Sequence, residues 1–111
     1  MNYELAKQLK DSGFPQNLQI GNRFVTKNNI QYFCENYETK SLYEKDSAKI
    51  PTLSELIEAC GDRFWKLEGS KGNWHAFYQN TIIPEAKLGQ GSTPEEAVAK
   101  LWLEINQQNN E

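Results

Sequence analysis

Two stretches of this chain carry a full set of helix punctuation, and the aromatic segments between them have to be accommodated around those two helices. The first begins after Pro51. In Thr52-Leu53-Ser54-Glu55 the threonine hydroxyl accepts from the Glu55 amide while the Glu55 carboxylate reaches back, which is a capping box. Leu53, Leu56, Ile57 and Cys60 then recur at i, i+3, i+4 and i+7, and Gly61 stands where a left-handed C-cap belongs. The second begins at Thr93-Pro94-Glu95-Glu96, with an N-cap threonine, a proline in the first helical position and two carboxylates at the positive end of the helix dipole. Val98, Leu101, Trp102 and Ile105 repeat the same spacing, and Asn106 to Glu111 reads as a fraying polar tail. Two apolar stripes of this kind each need a layer to cover.

The layer is supplied by strands. Arg63 to Gly69 and Asn73 to Gln79 have strand composition and are joined by Ser70-Lys71-Gly72, which predicts a hairpin. Strict alternation puts Trp65 and Leu67 on one face, groups Trp74, Ala76 and Tyr78, and points Phe64, His75 and Phe77 the other way. Ile82-Ile83, interrupted by Pro84, suggests an irregular or edge strand within Thr81 to Leu88.

Upstream, Leu5, Ala6 and Leu9 define a short amphipathic helix from Asn2 to Ser12, closed by Gly13 and Pro15, with Phe14 able to fold back on it. Arg23 to Thr26 and Ile30 to Asn36 predict a first hairpin about Lys27-Asn28-Asn29, with Ile30, Tyr32 and Cys34 on its apolar face. Glu38 to Lys49 is polar and without period, so it reads as a mobile loop and a tolerated connection, with a contact surface as the alternative. The expectation is an α+β fold: an antiparallel or mixed sheet with about three helices on one face, two layers, one domain over residues 1–111.

At 111 residues the chain can bury roughly 60 to 70 % of its unfolded surface, enough for a core. Fifteen acidic and twelve basic residues are well mixed, so no basic stripe speaks for nucleic acid. No apolar run approaches a membrane span and no signal-peptide pattern opens the chain, which makes a cytoplasmic protein, in whatever cell makes it, the expectation. Cys34 and Cys60 sit in apolar patterns and read as two reduced core thiols, a disulfide between them being the alternative.

Nothing resembles a catalytic centre. His75 is a lone histidine without a partner at metal spacing, and Ser54, Ser92 and Thr93 stand at helix starts where capping explains them. Gly89-Gln90-Gly91-Ser92-Thr93-Pro94 is a glycine-containing loop opening a helix, a place where backbone amides can hold an anion, although capping is the simpler account. No metal or cofactor is expected. The excess is in rings: Tyr32, Phe33, Tyr37, Tyr43, Phe64, Trp65, Trp74, Phe77 and Tyr78 are many for so small a core. Either they fill a two-layer core or some form an exposed patch. The patch reading makes Arg63, Trp65, Trp74, His75, Phe77 and Tyr78 the candidate ligand-binding residues, for a protein partner or for a nucleotide base with Arg23, Arg63, Lys66 or Lys71 near its phosphates.

The string from Ile50 to Phe64, followed by Trp74 and by Gly91-Ser92-Thr93-Pro94-Glu95-Glu96-Ala97-Val98-Ala99-Lys100-Leu101-Trp102-Leu103, resembles small proteins encoded by bacteriophages and prophages. That resemblance implies a phage or mobile-element origin and no mechanism. The ending, strands and then Gly-Ser-Thr-Pro-Glu-Glu-Ala leading into a helix, also resembles the HicB-type antitoxin fold. Together these imply a non-enzymatic accessory protein, a homo-oligomer in one version, that binds a host protein or sequesters a signalling nucleotide in an anti-defence role. An antitoxin module binding a small toxin, or a virion structural or assembly component, is the alternative.

Overall fold

The structure is a computed structural model that describes residues 1–43, 45–62, 64–78 and 87–108. The chain gathers into two compact units, Met1–Pro51 and Thr52–Glu111. The α+β class is as expected, and among the described residues pairing is antiparallel and the strands are divided between two sheets of three.

In the first unit, helix α1 (Tyr3–Asp11) is started by Asn2, whose side chain accepts from the Leu5 amide at 2.9 Å. Its end is the expected one: Gly13 has φ +97°, and the Phe14 amide turns back to the Leu9 carbonyl at 2.9 Å. Strands β1 (Arg23–Val25) and β2 (Gln31–Phe33) form the first hairpin. The segment read as a loop is built instead. It holds the single-turn helix α2 (Tyr37–Lys40) and strand β3 (Ala48–Ile50), which pairs with β1 on the side away from β2; Glu44, within the same segment, lies outside the described residues.

Strand β1 is central and buried on both faces. Val25 meets Ala6 of α1 and Ala48 on one side, while Phe24 meets Leu18 and Cys34 on the other, with the Tyr32 and Tyr43 rings 5.2 and 5.5 Å from its centroid. The placement of Tyr43 and of residues 45–49 is polar in origin, which explains why no apolar period announces it. Lys10 donates to the Lys45 and Ser47 carbonyls, both at 2.7 Å, and Lys49, only 5 % exposed, donates to the Asn17 carbonyl at 3.0 Å. Gln16 Oε1 accepts from the Tyr43 hydroxyl at 3.0 Å and from the Lys49 amide at 2.9 Å.

In the second unit, helix α3 (Leu53–Cys60) carries the capping box: Glu55 N donates to Thr52 Oγ1 at 3.2 Å and Thr52 N to Glu55 Oε1 at 3.1 Å. Strands β4 (Phe64–Ser70), β5 (Asn73–Tyr78) and β6 (Lys87–Gly91) form an antiparallel meander in that order. Helix α4 (Pro94–Gln108) lies on this sheet and against α3. Its start is the expected cap, with Glu96 N donating to Thr93 Oγ1 at 3.1 Å and the Ser92 hydroxyl to Glu96 Oε2 at 2.8 Å; the latter bond, with help from Lys100, holds the Glu96 carboxyl below its ordinary range. The helix runs through Asn106, whose side chain donates back to the Trp102 carbonyl at 2.9 Å, so residues 106–108 of the expected frayed tail are helical, and 109–111 lie outside the described residues.

Gly89 and Gly91, expected in a loop, are strand residues of β6 lying beneath α4. A Cβ on Gly89 would collide with the Ala97 carbonyl and stand 2.5 Å from the Leu101 nitrogen; one on Gly91 would stand 2.8 Å from the Ala97 nitrogen. The glycines therefore let helix backbone rest on strand backbone, with Ala76 and Ala97 keeping the same contact thin. The irregular or edge strand expected at Ile82-Ile83-Pro84 lies outside the described residues.

Two measurements check these packing claims. Gly89→Ala forces α4 off β6 and lowers unfolding free energy by about 1–3 kcal/mol or more, read as a lower urea midpoint. Lys10→Met keeps the aliphatic stem but strands two carbonyls, costs about 1–3 kcal/mol, and speeds hydrogen exchange at the Lys49 amide.

Candidate functional site

The meander of the second unit has two unlike faces, and register shows which residue belongs to which. Cross-strand partners share a face. Leu67, Ala76 and Gly89 form one row, and Gly69, Trp74 and Gly91 the next, both on the side that α4 covers. Lys66, Phe77 and Leu88 form a row on the opposite side, followed by Glu68, His75 and Gln90.

Trp65 does not obey the alternation. Phe64 pairs with Tyr78 but Lys66 pairs with Phe77, so two steps along β4 match one along β5 and Trp65 is the extra residue of a β-bulge. This corrects the face assignment made from strict period two. Phe64 joins Tyr78 on the helix side, and Trp65 parts from Leu67 and turns to the open side. There its ring meets Phe77 edge-on at 6.1 Å between centroids, and Phe77 stacks with His75 at 6.4 Å. Lys66 closes the group, its ammonium 4.7 Å from the Trp65 centroid and 4.8 Å from that of Phe77, with Glu68 at 3.5 Å from the same nitrogen.

The result is a ring-bearing surface on hydrogen-bonded strands. Trp65 is 56 % exposed and Leu88 46 %, so an apolar row crosses all three strands beside a polar row of Glu68, His75 and Gln90. The hairpin is short because Lys71-Gly72 turns it in two residues, Gly72 taking φ +79°.

Of the six candidate ligand-binding residues, Trp65, His75 and Phe77 come together here. Trp74 and Tyr78 are half-buried on the helix side, Trp74 lying across Gly69 where a side chain would meet its indole, and Arg63 lies outside the described residues. Lys66, expected near the phosphates of a nucleotide, stands on this face, while Glu68, Leu88 and Gln90 were missed. Glu68 was within reach of alternation from the turn; Leu88 was hidden because the glycines beyond it disguised β6.

Other chemistry is settled by placement. Gly89 and Gly91 are occupied by helix contact, so the glycine segment forms no anion loop, and Ser92 and Thr93 cap α4. Among the described residues no group of three or more His, Cys, Asp or Glu side chains is placed to hold a metal. No described helix is long and apolar enough to cross a membrane. Cys34 and Cys60 are free and buried, as expected of core thiols, and burial pushes the Cys60 thiol up to about 11.

Compared with known proteins, the chain matches no family model, no curated protein and no solved structure.

The thiols offer a direct check. At neutral pH both resist alkylation in the folded protein, because the thiolate is the nucleophile and neither sulfur is open to reagent; two equivalents react once denaturant is added. Rapid labelling of Cys60 without denaturant contradicts its burial.

Proposed function

We propose that this chain is a non-enzymatic accessory protein of phage or prophage origin that acts by binding a host protein through the open face of the β4–β5–β6 sheet, in an anti-defence role. The observation that carries the binding part is Trp65, more than half exposed yet held by Phe77 and Lys66. A large ring kept in water and fixed in place costs little further entropy when a partner covers it, and tryptophan is among the residues that dominate interface energetics. The neighbouring polar row provides the hydrogen-bonding rim such interfaces need. A surface carried across three paired strands lets a macromolecular partner meet side chains of all three at once. The phage origin and the anti-defence role rest on the resemblance of the Ile50–Phe64 and Gly91–Leu103 strings.

A second reading is a HicB-like module binding a small toxin. What favours it is the order of three antiparallel strands followed directly by a Thr-Pro-Glu-Glu helix. It uses the same face and differs in the partner, a toxin made beside it.

Trp65→Ala tests both. The expected result is stability within about 1 kcal/mol of the parent and loss of the captured partner by about 30-fold or more in affinity, the cost of truncating a hot spot. Capture from infected host cells identifies a host protein; co-expression with neighbouring small reading frames identifies a toxin. A partner retained equally by the variant removes this face from consideration.

A further inference from the structure

The outer strands of the two sheets are not protected alike. An edge strand presents unpaired main-chain donors and acceptors, which proteins blunt with charge, a bulge, a proline, a cover or a short length. Strand β3 is covered and stopped: its outward amide, that of Lys49, donates to Gln16 Oε1 at 2.9 Å, and Pro51 follows the strand. Strand β4 is bulged at Trp65 and carries Lys66 and Glu68. Strand β2, at the end of the order β2-β1-β3, is protected only by being short.

Hydrogen bonding along the first hairpin shows which of its groups look outward. The Ile30 carbonyl accepts from the Thr26 amide at 3.0 Å, the Cys34 amide donates to the Asn22 carbonyl at 2.8 Å, and Phe24 stands opposite Tyr32 in the same register. Residues 30, 32 and 34 therefore turn their main chain to β1, and alternation turns the amides and carbonyls of Gln31 and Phe33 away from it. Among the described residues no strand pairs with that outward side. The side chains around it are accessible: Ile30 is 49 % and Phe33 48 % exposed, and the Gln31 side chain is held aside, donating to the Met1 carbonyl at 3.1 Å.

This edge is its own complement. Two outward residues with one inward residue between them pair antiparallel with an identical strand about a two-fold axis at Tyr32. Gln31 of each copy then faces Phe33 of the other and exchanges two N–H···O bonds with it, while the two Tyr32 residues meet in the closer, non-hydrogen-bonded position. From Ile30 to Cys34 no side chain is charged, so two copies of a chain of net charge −3 meet here without like-charge repulsion. Glu35, the next residue, comes opposite Asn29 and not opposite its own copy.

We propose that β2 is a homodimer edge, at which the first units of two copies join their three-stranded sheets into one continuous antiparallel sheet in the order β3-β1-β2-β2-β1-β3. The pairing is short, so the association is weak and reversible, with a dissociation constant on the order of 100 µM. It is independent of the binding face on the second unit, since the two share no residue.

The test is sedimentation velocity of the full chain between about 5 µM and 1 mM, with amide hydrogen exchange at both ends of that range. The expected result is a shift from monomer to dimer, with exchange at the Gln31 and Phe33 amides slowed by about three-fold or more at the high end and the Tyr32 amide protected throughout. Phe33→Pro removes an outward amide where an edge strand tolerates proline, and weakens the dimer by about ten-fold or more. Phe33→Ala keeps the amide and weakens it by no more than about three-fold, and Trp65→Ala leaves it unchanged. Protection of the Tyr32 amide in Phe33→Pro shows that the hairpin survives; should that variant not fold, exchange at Gln31 and Phe33 in the parent decides alone. A chain still monomeric at the highest concentration, a dimer whose Gln31 and Phe33 amides exchange as in the monomer, or one dissociated as readily by Phe33→Ala as by Phe33→Pro, or by Trp65→Ala, overturns the proposal.

Discussion

The second unit depends on one contact, the backbone of α4 resting on the backbone of β6. Glycine in a strand costs about 0.5–1 kcal/mol apiece in chain entropy. Against that, α4 buries Val98 and Leu101 completely and Trp102 nearly so, and each such side chain contributes roughly 1.5–3 kcal/mol when removed from water. Burial wins, but only if the helix comes close enough for those side chains to reach the sheet and α3. Gly89 and Gly91 provide that approach, and by drawing the helix to one side they decide which face of the meander stays open.

The first unit solves the opposite problem. Its β1 strand is buried on both faces, yet the chain that completes the sheet, residues 45–50, is too polar to be held by apolar contact alone. Lysine stems can lie along a core while their ammonium groups find carbonyls. Lys10 and Lys49 do this from α1 and β3, and Gln16 ties Tyr43 to Lys49. The ties join residues some 30 positions apart, so they fix tertiary structure.

That contrast explains what could be read from sequence. The helices at Leu53–Cys60 and Pro94–Gln108, and the two hairpins, were legible because capping residues and apolar periods are local signals. Strand β3 was not, since a lysine at a buried position reads as solvent-facing until its acceptor, the Asn17 carbonyl, is known. The glycines of β6 imitate a loop because the reason for them, Ala97 and Leu101, lies further along the chain. Half of the aromatic site was anticipated by composition. Trp65 was assigned to the wrong side because a bulge is a mismatch in length between two strands, and neither strand shows it alone.

The bulge also makes residue count a determinant of surface chemistry. Were β4 one residue shorter at that point, the ladder would run straight, Phe64 would keep its place opposite Tyr78, and the open face alone would lose its exposed ring. Insertions and deletions in this hairpin, ordinarily absorbed by its turn, would thus act as switches of stickiness, and homologous chains of unequal β4 length would present different surfaces from nearly the same letters.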